Sequence, residues 1–287
     1  MTSHAQRAFP YDIRPIDAIE ELHACEAVAK LVWQVDDREI VPASHLKALA
    51  HGGGLVAGAY QDGALVGFLV GFLARHDGGP RTELHSHLMG VLPEHRRAGV
   101  ARRLKWFQRA WCLDRGIDHV VWTFDPLQAA TTRLNLEVLG AVGERYERDF
   151  YGTLGGVRFG SLPTDRLLAH WRLRAPHVER LAGDAGLLPP AIPTRASDEQ
   201  ERDLPWALAG GVDDRPGAPQ GDLASPHVRV AVPRDLPALL HRDPEAARAW
   251  RFAVREAMEA YMDRGYRAAR FLGGALILSS TPADLER

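Results

Sequence analysis

The apolar positions in the first half of the chain switch repeatedly between a period of two and a period near 3.6. Asp12-Ile13-Arg14-Pro15-Ile16 reads as a short strand. Ile19, Leu22, Val28, Leu31 and Val32 then recur at helical spacing, and Asp17 is placed to cap a helix running to about Trp33. Ser44 is placed to cap a second, shorter helix carrying Leu46 and Leu49. Gly54 to Tyr60 and Ala64 to Leu73 are predicted strands, joined by the turn Gln61-Asp62-Gly63. His76 to Pro80 reads as a loop, and Leu84 to Leu92 as the next strand. Ala98 to Arg115 is a predicted helix, with Val100, Leu104, Phe107 and Trp111 at helical spacing and Gly116 closing it. His119 to Phe124 is a strand, Leu127 to Leu139 a helix ending at Gly140, and Ala141 to Tyr151 holds a further strand.

The second half is patterned differently. Leu162-Pro163-Thr164-Asp165 opens a run read as helical through Leu173, with Trp171 inside it. Ala182 to Ser225 is rich in Gly, Pro, Asp and Ala and reads as a loop or linker. His227 to Val232 is a strand. Pro244 to Arg264 is a long helix with Ala247, Trp250, Val254, Met258 and Tyr261 on one face. Tyr266 to Leu272 and Ala275 to Leu278 are strands. A piece of about 60 residues is marginal alone, so this module is expected to pack on the first domain or extend its sheet. The expected division is residues 1–175 as the main domain, 176–226 as linker and 227–287 as a C-terminal α/β module.

Composition narrows the function classes. The 287 residues are 46% hydrophobic and 25% charged, an ordinary globular balance. The 35 Lys and Arg against 37 Asp and Glu leave a net charge of −2, which argues against broad nucleic-acid binding. No apolar stretch is long enough to span a membrane, and residues 1–10 lack the apolar core of a signal peptide. Cys25 and Cys112 sit within helical patterns and make neither a disulfide framework nor a metal site, so a reduced, cytoplasmic setting is expected.

The most informative stretch is Val91-Leu-Pro-Glu-His-Arg-Arg-Ala-Gly-Val-Ala-Arg-Arg-Leu104. An apolar strand stops at Pro93, a basic turn with one glycine follows, and a helix opens. Such a turn presents unpaired backbone N–H groups at a helix start, a ready site for phosphate or pyrophosphate. Gly99 allows close backbone approach, Ala101 leaves room, and Arg96, Arg97, Arg102 and Arg103 add positive charge. A solvated strand-to-helix connection has the same appearance. No Gly-Lys-Ser/Thr and no G-x-G-x-x-G is present, so the nucleotide loops of those types are excluded.

The spacing Arg96-x-x-Gly99-x-Ala101, preceded by Val91-x-Pro93-Glu94, resembles the acyl-CoA pyrophosphate loop of the GNAT N-acyltransferases. The predicted order β-α-α-β-β-β-α-β-α-β is similar to that family's, over roughly residues 11–160. The resemblance implies an α/β GNAT fold: a mixed central sheet with splayed strands flanked by helices, here with a small C-terminal α/β module. It implies acyl-CoA as cosubstrate, held by Met89, Gly90, Val91, Leu92, Arg96, Arg97, Ala98, Gly99, Val100 and Ala101, with Asn135 on the pantetheine arm, and no metal. Asn135 reads equally as a surface residue. Leu162-Pro163-Thr164-Asp165-Arg166-Leu167 and Ala249-Trp250-Arg251 are similar to segments of a GNAT-like subgroup with an added C-terminal region. Some of its members are encoded beside enzymes of the N-succinylamino-acid racemase type, which implies succinyl-CoA and an amino acid as substrates.

Acyl transfer to an amine needs a proton taken from the amine, a polarised thioester carbonyl and a fate for the thiolate. Alternation places Glu83, His85 and His87 on one face of the strand entering the turn, where one could serve as base. The same trio reads alternatively as metal ligands, or as hydrogen-bonded histidines on a polar face. The resemblance assigns carbonyl polarisation to the backbone N–H near Met89 or Gly90. Many family members carry a proton-donating tyrosine four residues before the glycine that ends the last helix; here that position is Leu136. Tyr146 and Tyr151 are candidate acids, though each also fits a core or edge position. Trp122-Thr123-Phe124-Asp125-Pro126 ends a strand whose side chains could line the acceptor pocket. The tryptophans are otherwise read as core, and Arg133, Arg145 and Arg148 as solvated charges in preference to a carboxylate fork.

The expectation is an acyl-CoA-dependent N-acyltransferase passing an acetyl or succinyl group directly to a small-molecule amine, plausibly an amino acid. No nucleophilic cysteine is placed to carry the acyl group, and neither nucleic acid nor membrane is an expected partner. A non-catalytic acyl-CoA-binding module and a transferase acting on a protein N-terminus or lysine are the rivals. The pattern leaves oligomeric state open, a homodimer included.

Overall fold

The computed structural model describes residues 9–75, 81–152, 162–183 and 203–281. They fall into two compact units, residues 9–117 and the described residues from 118 onward. The expected loop at 76–80 and residues 184–202 of the expected linker lie outside the described residues.

The first unit is a four-stranded antiparallel sheet with helices on both faces. Its strands are β1 (Asp12–Pro15), β2 (Leu55–Gln61), β3 (Ala64–Arg75) and β4 (Thr82–Val91), in that order. Helices α1 (Ile19–Trp33) and α2 (Ala43–His51) precede β2, and α3 (Val100–Leu113) follows β4. Alternation along β2 divides the core. Leu55, Ala57 and Ala59 pack with Val100 and Leu104 of α3, whereas Val56 and Tyr60 pack with Leu22, Val28 and Leu46 of α1 and α2. The β2–β3 hairpin closes through Asp62 and Gly63, both at positive φ (50° and 80°), the backbone a tight hairpin turn of this hand needs.

Two expected caps are absent. The helix-preceding residues Ala18 and Pro42 cap α1 and α2 without a side chain. Asp17 accepts from Lys47 instead, and the first N–H of α2, that of Ala43, is taken by Glu26 of α1 across the helix pair. On α1 the buried face is Leu22, Cys25, Val28, Ala29 and Val32, while Ile19 and Leu31 are exposed.

The second unit is a mixed sheet in the order β5 (His119–Phe124), β7 (Arg166–Arg172), β6 (Val142–Glu147), β10 (Arg267–Leu272), β11 (Ala275–Ser279), β9 (His227–Ala231) and β8 (Trp206–Leu208). Neighbours are antiparallel except β8 and β9, which are parallel. The helices are α4 (Ala129–Arg133), α5 (Pro176–Gly183), α6 (Leu236–Arg242) and α7 (Pro244–Met262). Asp235 and Asp243 cap α6 and α7 by accepting from Ala238 and Ala246.

Three elements differ from the sequence reading. The run after Leu162 is the strand β7, not a helix: Leu167, Ala169 and Trp171 are fully buried and alternate with half-buried Leu168 and His170, a period of two. Trp206–Leu208, inside the expected linker, is a strand. The helix expected over 127–139 opens as α4 and then widens into a π turn, Leu134–Val138, in which Leu139 N–H reaches back to Leu134 O. Gly140, at φ +71°, ends it against His177, whose Nε2 bonds the Gly140 carbonyl at 2.8 Å.

The strands of the 227–287 region continue the β5–β7–β6 sheet through the pair Ala268–Gly143. A second tie is side-chain based: Glu137 of the π turn accepts from Phe271 N–H at 2.9 Å and from the Arg270 guanidinium. The two compact units divide at 117–118. Among the described residues no helix is long and apolar enough to cross a membrane.

Candidate functional site

The turn into α3 is built as an anion cradle would be. After a 3₁₀ turn, Pro93–His95, the chain passes through Arg97 at φ 64° and Gly99 at φ 85° before the helix begins at Val100. No side chain caps α3, so the first-turn N–H groups keep their capacity to donate. A Cβ built on Gly99 meets only Arg102, at 3.8 Å, so glycine is demanded by the backbone angle and not by crowding. Arg96 donates to the Val91 carbonyl at 3.2 Å, and Arg103 lies over the Phe9 ring at 4.3 Å. Buried nitrogens of Arg102 (Nε) and Arg103 (Nε, Nη2) have no hydrogen-bond partner among the described residues. Burial and the neighbouring Arg103 hold the Arg102 pKa down. Cationic groups without counter-charge around open N–H donors favour an incoming polyanion.

The strand entering this turn carries a bulge. Gly71 pairs with Ser86 and Val70 with Leu88, so His87 is an extra residue on β4. The bulge inverts the alternation. Before it, Ser86 meets Lys105 of α3; after it, Met89 packs on the α3 side and Leu88 on the α1–α2 side. The bulge thus sits two to three residues ahead of Met89 and Gly90, where carbonyl polarisation was expected.

Of the predicted trio, His85 and His87 are brought together around Phe72. His85 stacks on Phe72 at 4.8 Å and 12°, its direct cross-strand partner, and His87 meets the same ring edge-on at 5.7 Å. The two imidazoles are 6.3 Å apart. Glu83 lies two residues back along the strand, opposite Ala74, and is buried. Burial, then His87 and Lys105, push the His85 pKa down to about 4. Burial also lowers that of His87, whose residue surface is nevertheless exposed. Both rings are therefore neutral at neutral pH and able to accept a proton, and His87 is the more accessible. No group of metal-ligating side chains is found among the described residues.

The opposite face of β4 holds a cluster the sequence reading missed. Lys105 of α3, buried, donates to Gln108 Oε1 at 2.6 Å and Ser86 Oγ at 3.2 Å, and Gln108 donates to the same Oγ at 3.2 Å. Burial pushes the Lys105 pKa down to about 7. Cys112, two turns beyond Lys105, is also buried, and its thiol is pushed up to about 12 by that burial, so it is inert as a nucleophile. The available signal was the spacing Val100, Leu104, Lys105, Gln108, Cys112, which places a lysine and a glutamine on the inward stripe.

In the second unit, Asn135 is buried in the π turn with its Nδ2 unpartnered among the described residues, and Leu136 beside it is buried. Tyr146 is engaged: its hydroxyl donates to Asp165 Oδ2 at 2.7 Å, and burial followed by the Asp165 charge raises its pKa well above 10. Tyr151 is exposed, with its hydroxyl 3.3 Å from Thr123 Oγ1. A cleft of about 450 Å³ lies elsewhere in this unit, lined by Trp206, Arg234, Arg242, Trp250 and Gly273. Its Arg242 and Arg215 are neutralised by Asp214 and Asp243, which leaves little field for a charged ligand.

Residues 16–140 match the family model described as Acetyltransferase (GNAT) family. No curated protein matches the chain. Among solved structures, the Escherichia coli ribosomal-protein-S18-alanine N-acetyltransferase is similar at 18% identity, covering 56% of this chain and 92% of that one, with a TM-score of 0.45. A GNAT family acetyltransferase from Brucella melitensis in complex with acetyl-CoA is similar at 17% identity, covering 40% and 76%, with a TM-score of 0.35. An aminoglycoside acetyltransferase from an uncultured soil metagenomic sample is similar at 14% identity, covering 42% and 82%, with a TM-score of 0.39.

Proposed function

Because residues 16–140 belong to the acetyltransferase (GNAT) family, we propose that the chain is an acyl-CoA-dependent N-acyltransferase. It passes an acetyl or succinyl group directly to the amine of a small metabolite, an amino acid being the favoured class. The observation that carries this reading is the uncapped start of α3 behind the left-handed Arg97 and Gly99. The N–H groups of Val100 and Ala101, with Arg96, Arg97 and Ala98 around them, would hold the pyrophosphate of coenzyme A. The unpartnered amide of Asn135 suits a pantetheine carbonyl. The bound thioester supplies an activated acyl carbon; the chain's own groups do the rest.

His87 takes the amine proton, directly or through one water, because it is neutral and the more exposed of the pair. His85 and His87 both pack on Phe72, and burial there keeps His87 neutral until it takes that proton. The bulge at His87 re-aims the following backbone, and the N–H near Met89 polarises the thioester carbonyl. Of the two candidate acids, Tyr151 is the exposed one that could return a proton to the thiolate, since Tyr146 is held by Asp165.

Buried Leu136 at the family's tyrosine position favours one alternative, a binding module without turnover. A thiol-release assay separates them. Purified chain, acetyl-CoA or succinyl-CoA, and a panel of amino acids and small amines should release free coenzyme A faster than the buffer blank. Tight acyl-CoA binding with no release for any amine would favour the module.

A further inference from the structure

Six charged or hydroxyl side chains from distant parts of the second unit converge beyond the end of β5. Asp125 is held by Arg251 through Nη1 to Oδ1 (2.9 Å) and Nη2 to Oδ2 (2.7 Å), and also accepts from Leu127 N–H. Asp165 is held by Arg255 (Nε to Oδ2 at 2.8 Å, Nη2 to Oδ1 at 2.6 Å), by Tyr146 and by Asp149 N–H. Asp165 thus accepts four hydrogen bonds and Asp125 three.

Arg166 is the third guanidinium of this group, and it makes no ion pair with a carboxylate among the described residues. It is 7% exposed. Its donation among the described residues is to the main-chain oxygen of Asp165, at 3.2 Å. Glu147, its cross-strand partner on β6, pairs with Arg145 instead. Burial, set against the attraction of Asp125, lowers the Arg166 pKa, with Arg251 adding to the fall. Arg166, Arg251 and Arg255 thus share the neighbourhood of Asp125 and Asp165, while the adjacent Asp149 carboxylate accepts from Thr164. One face of Arg166 lies over the Tyr151 ring, 5.2 Å from its centroid, and that exposed tyrosine extends to Thr123. A guanidinium that bonds no carboxylate, with an exposed tyrosine against its face, is the chemistry that receives one carboxylate.

We propose that Arg166, with Tyr151 and Thr123 beside it, binds a carboxylate carried by a substrate of this chain. Asp125 and Asp165 attract Arg166 but give their side-chain hydrogen bonds to Arg251 and Arg255, and the Asp165 main-chain oxygen holds Arg166 in place. The proposal deepens the transferase reading and rests on it for the word substrate. The carboxylate comes from one of two sources: the α-carboxylate of an amino-acid acceptor, or the terminal carboxylate of a succinyl donor.

The test is calorimetric titration of the full chain and its Arg166→Gln and Arg166→Lys variants. One arm compares L-amino acids with their carboxamides; the other compares succinyl-CoA with acetyl-CoA, which has no free acyl carboxylate. The expected result is a carboxylate ligand at least tenfold tighter than its uncharged counterpart in one arm. That preference falls to unity in Arg166→Gln and is partly restored in Arg166→Lys, while both variants unfold as the parent does. The arm that shows it identifies the source. Equal binding of charged and uncharged partners in both arms, an undiminished preference in Arg166→Gln, or no binding of any carboxylate overturns the proposal. Failure of the transferase reading looks different: acetyl-CoA would not bind the parent chain, whatever the amino-acid arm gave.

Discussion

Arg251 and Asp125 are joined by two parallel hydrogen bonds, of 2.9 and 2.7 Å, across 126 positions of sequence. Arg251 is 2% exposed, and its guanidinium would be costly there without this partner. Burial alone would lower its pKa; the charge of Asp125 and the hydrogen bonds to it reverse the sign and raise it. The pair links the end of β5 to α7, so it fixes the C-terminal helix against the first strands of its own unit. Arg251→Ala is expected to cost about 3–5 kcal/mol, because it strands a buried carboxylate. The double replacement Asp125→Leu with Arg251→Met should cost much less than the sum of the single changes. Urea unfolding of the four chains checks this; an Arg251→Ala loss below about 1 kcal/mol would mean that Asp125 is hydrated rather than dependent on the pair.

The stacked pair His85 and Phe72 sets an acid-side prediction. His85 is pushed from 6.5 down to about 4 in the folded chain. Between those values the unfolded chain binds the proton and the folded chain does not, so stability falls as pH drops from 6.5 toward 4. His87, lowered in the same direction, adds to the slope. His85→Phe keeps the stack and removes one titrating group. Its melting temperature should vary less with pH across this window than that of the parent, by calorimetry; parallel curves would place His85 in a solvated site.

Lys105 gives the opposite limb. Its pKa is pushed by burial from 10.5 to about 7. Below about pH 7 the folded chain holds a buried ammonium; between 7 and 10.5 the unfolded chain binds the proton in its place, so stability rises with pH there. Lys105→Met removes the charge and leaves the Ser86–Gln108 bond, at 3.2 Å, in place. The variant is expected to be more stable than the parent at pH 6 by on the order of 2 kcal/mol, with the gain shrinking toward pH 10. A gain independent of pH would show that packing, not charge, is the cause.

Gly99 sits at φ 85° with open space where a Cβ would go. Gly99→Ala therefore meets backbone strain alone, about 1 kcal/mol, and thermal unfolding should shift by a few degrees. Acetyl-CoA affinity is expected to fall tenfold or more, since the cradle depends on that backbone angle. An unaltered affinity in a folded variant would separate Gly99 from ligand binding.

The first unit was legible because its signals are local: two-fold and 3.6-fold periods, an Asp-Gly turn, and a helix opening at a basic turn. What misled were features decided by tertiary contact. Asp17 and Ser44 have good capping chemistry, yet Asp17 is paired with Lys47 and α2 begins one residue before Ser44, its Ala43 N–H taken by Glu26 of a neighbouring helix. The β7 strand was read as a helix because Leu162-Pro163-Thr164-Asp165 imitates a capped start, whereas Asp165 spends its oxygens on Arg255 and Tyr146. The bulge at His87 is a register effect that no single strand announces. The charged cluster was half legible: Asp165-Arg166 and Trp250-Arg251 stood out as segments, but their convergence on Asp125 needs the fold. Lys105 was concealed by the habit of assigning lysine to the outer face of a helix.

The central claim is that the turn before α3 holds acyl-CoA by its pyrophosphate. Calorimetric titration of the full chain with acetyl-CoA, and with S-acetylpantetheine as the donor lacking the pyrophosphate and nucleotide, tests it most directly. Acetyl-CoA is expected to bind one site per chain at least a hundredfold more tightly than the truncated donor, with an affinity that weakens as salt rises. No acetyl-CoA binding, or equal affinity for the two donors, would contradict the account.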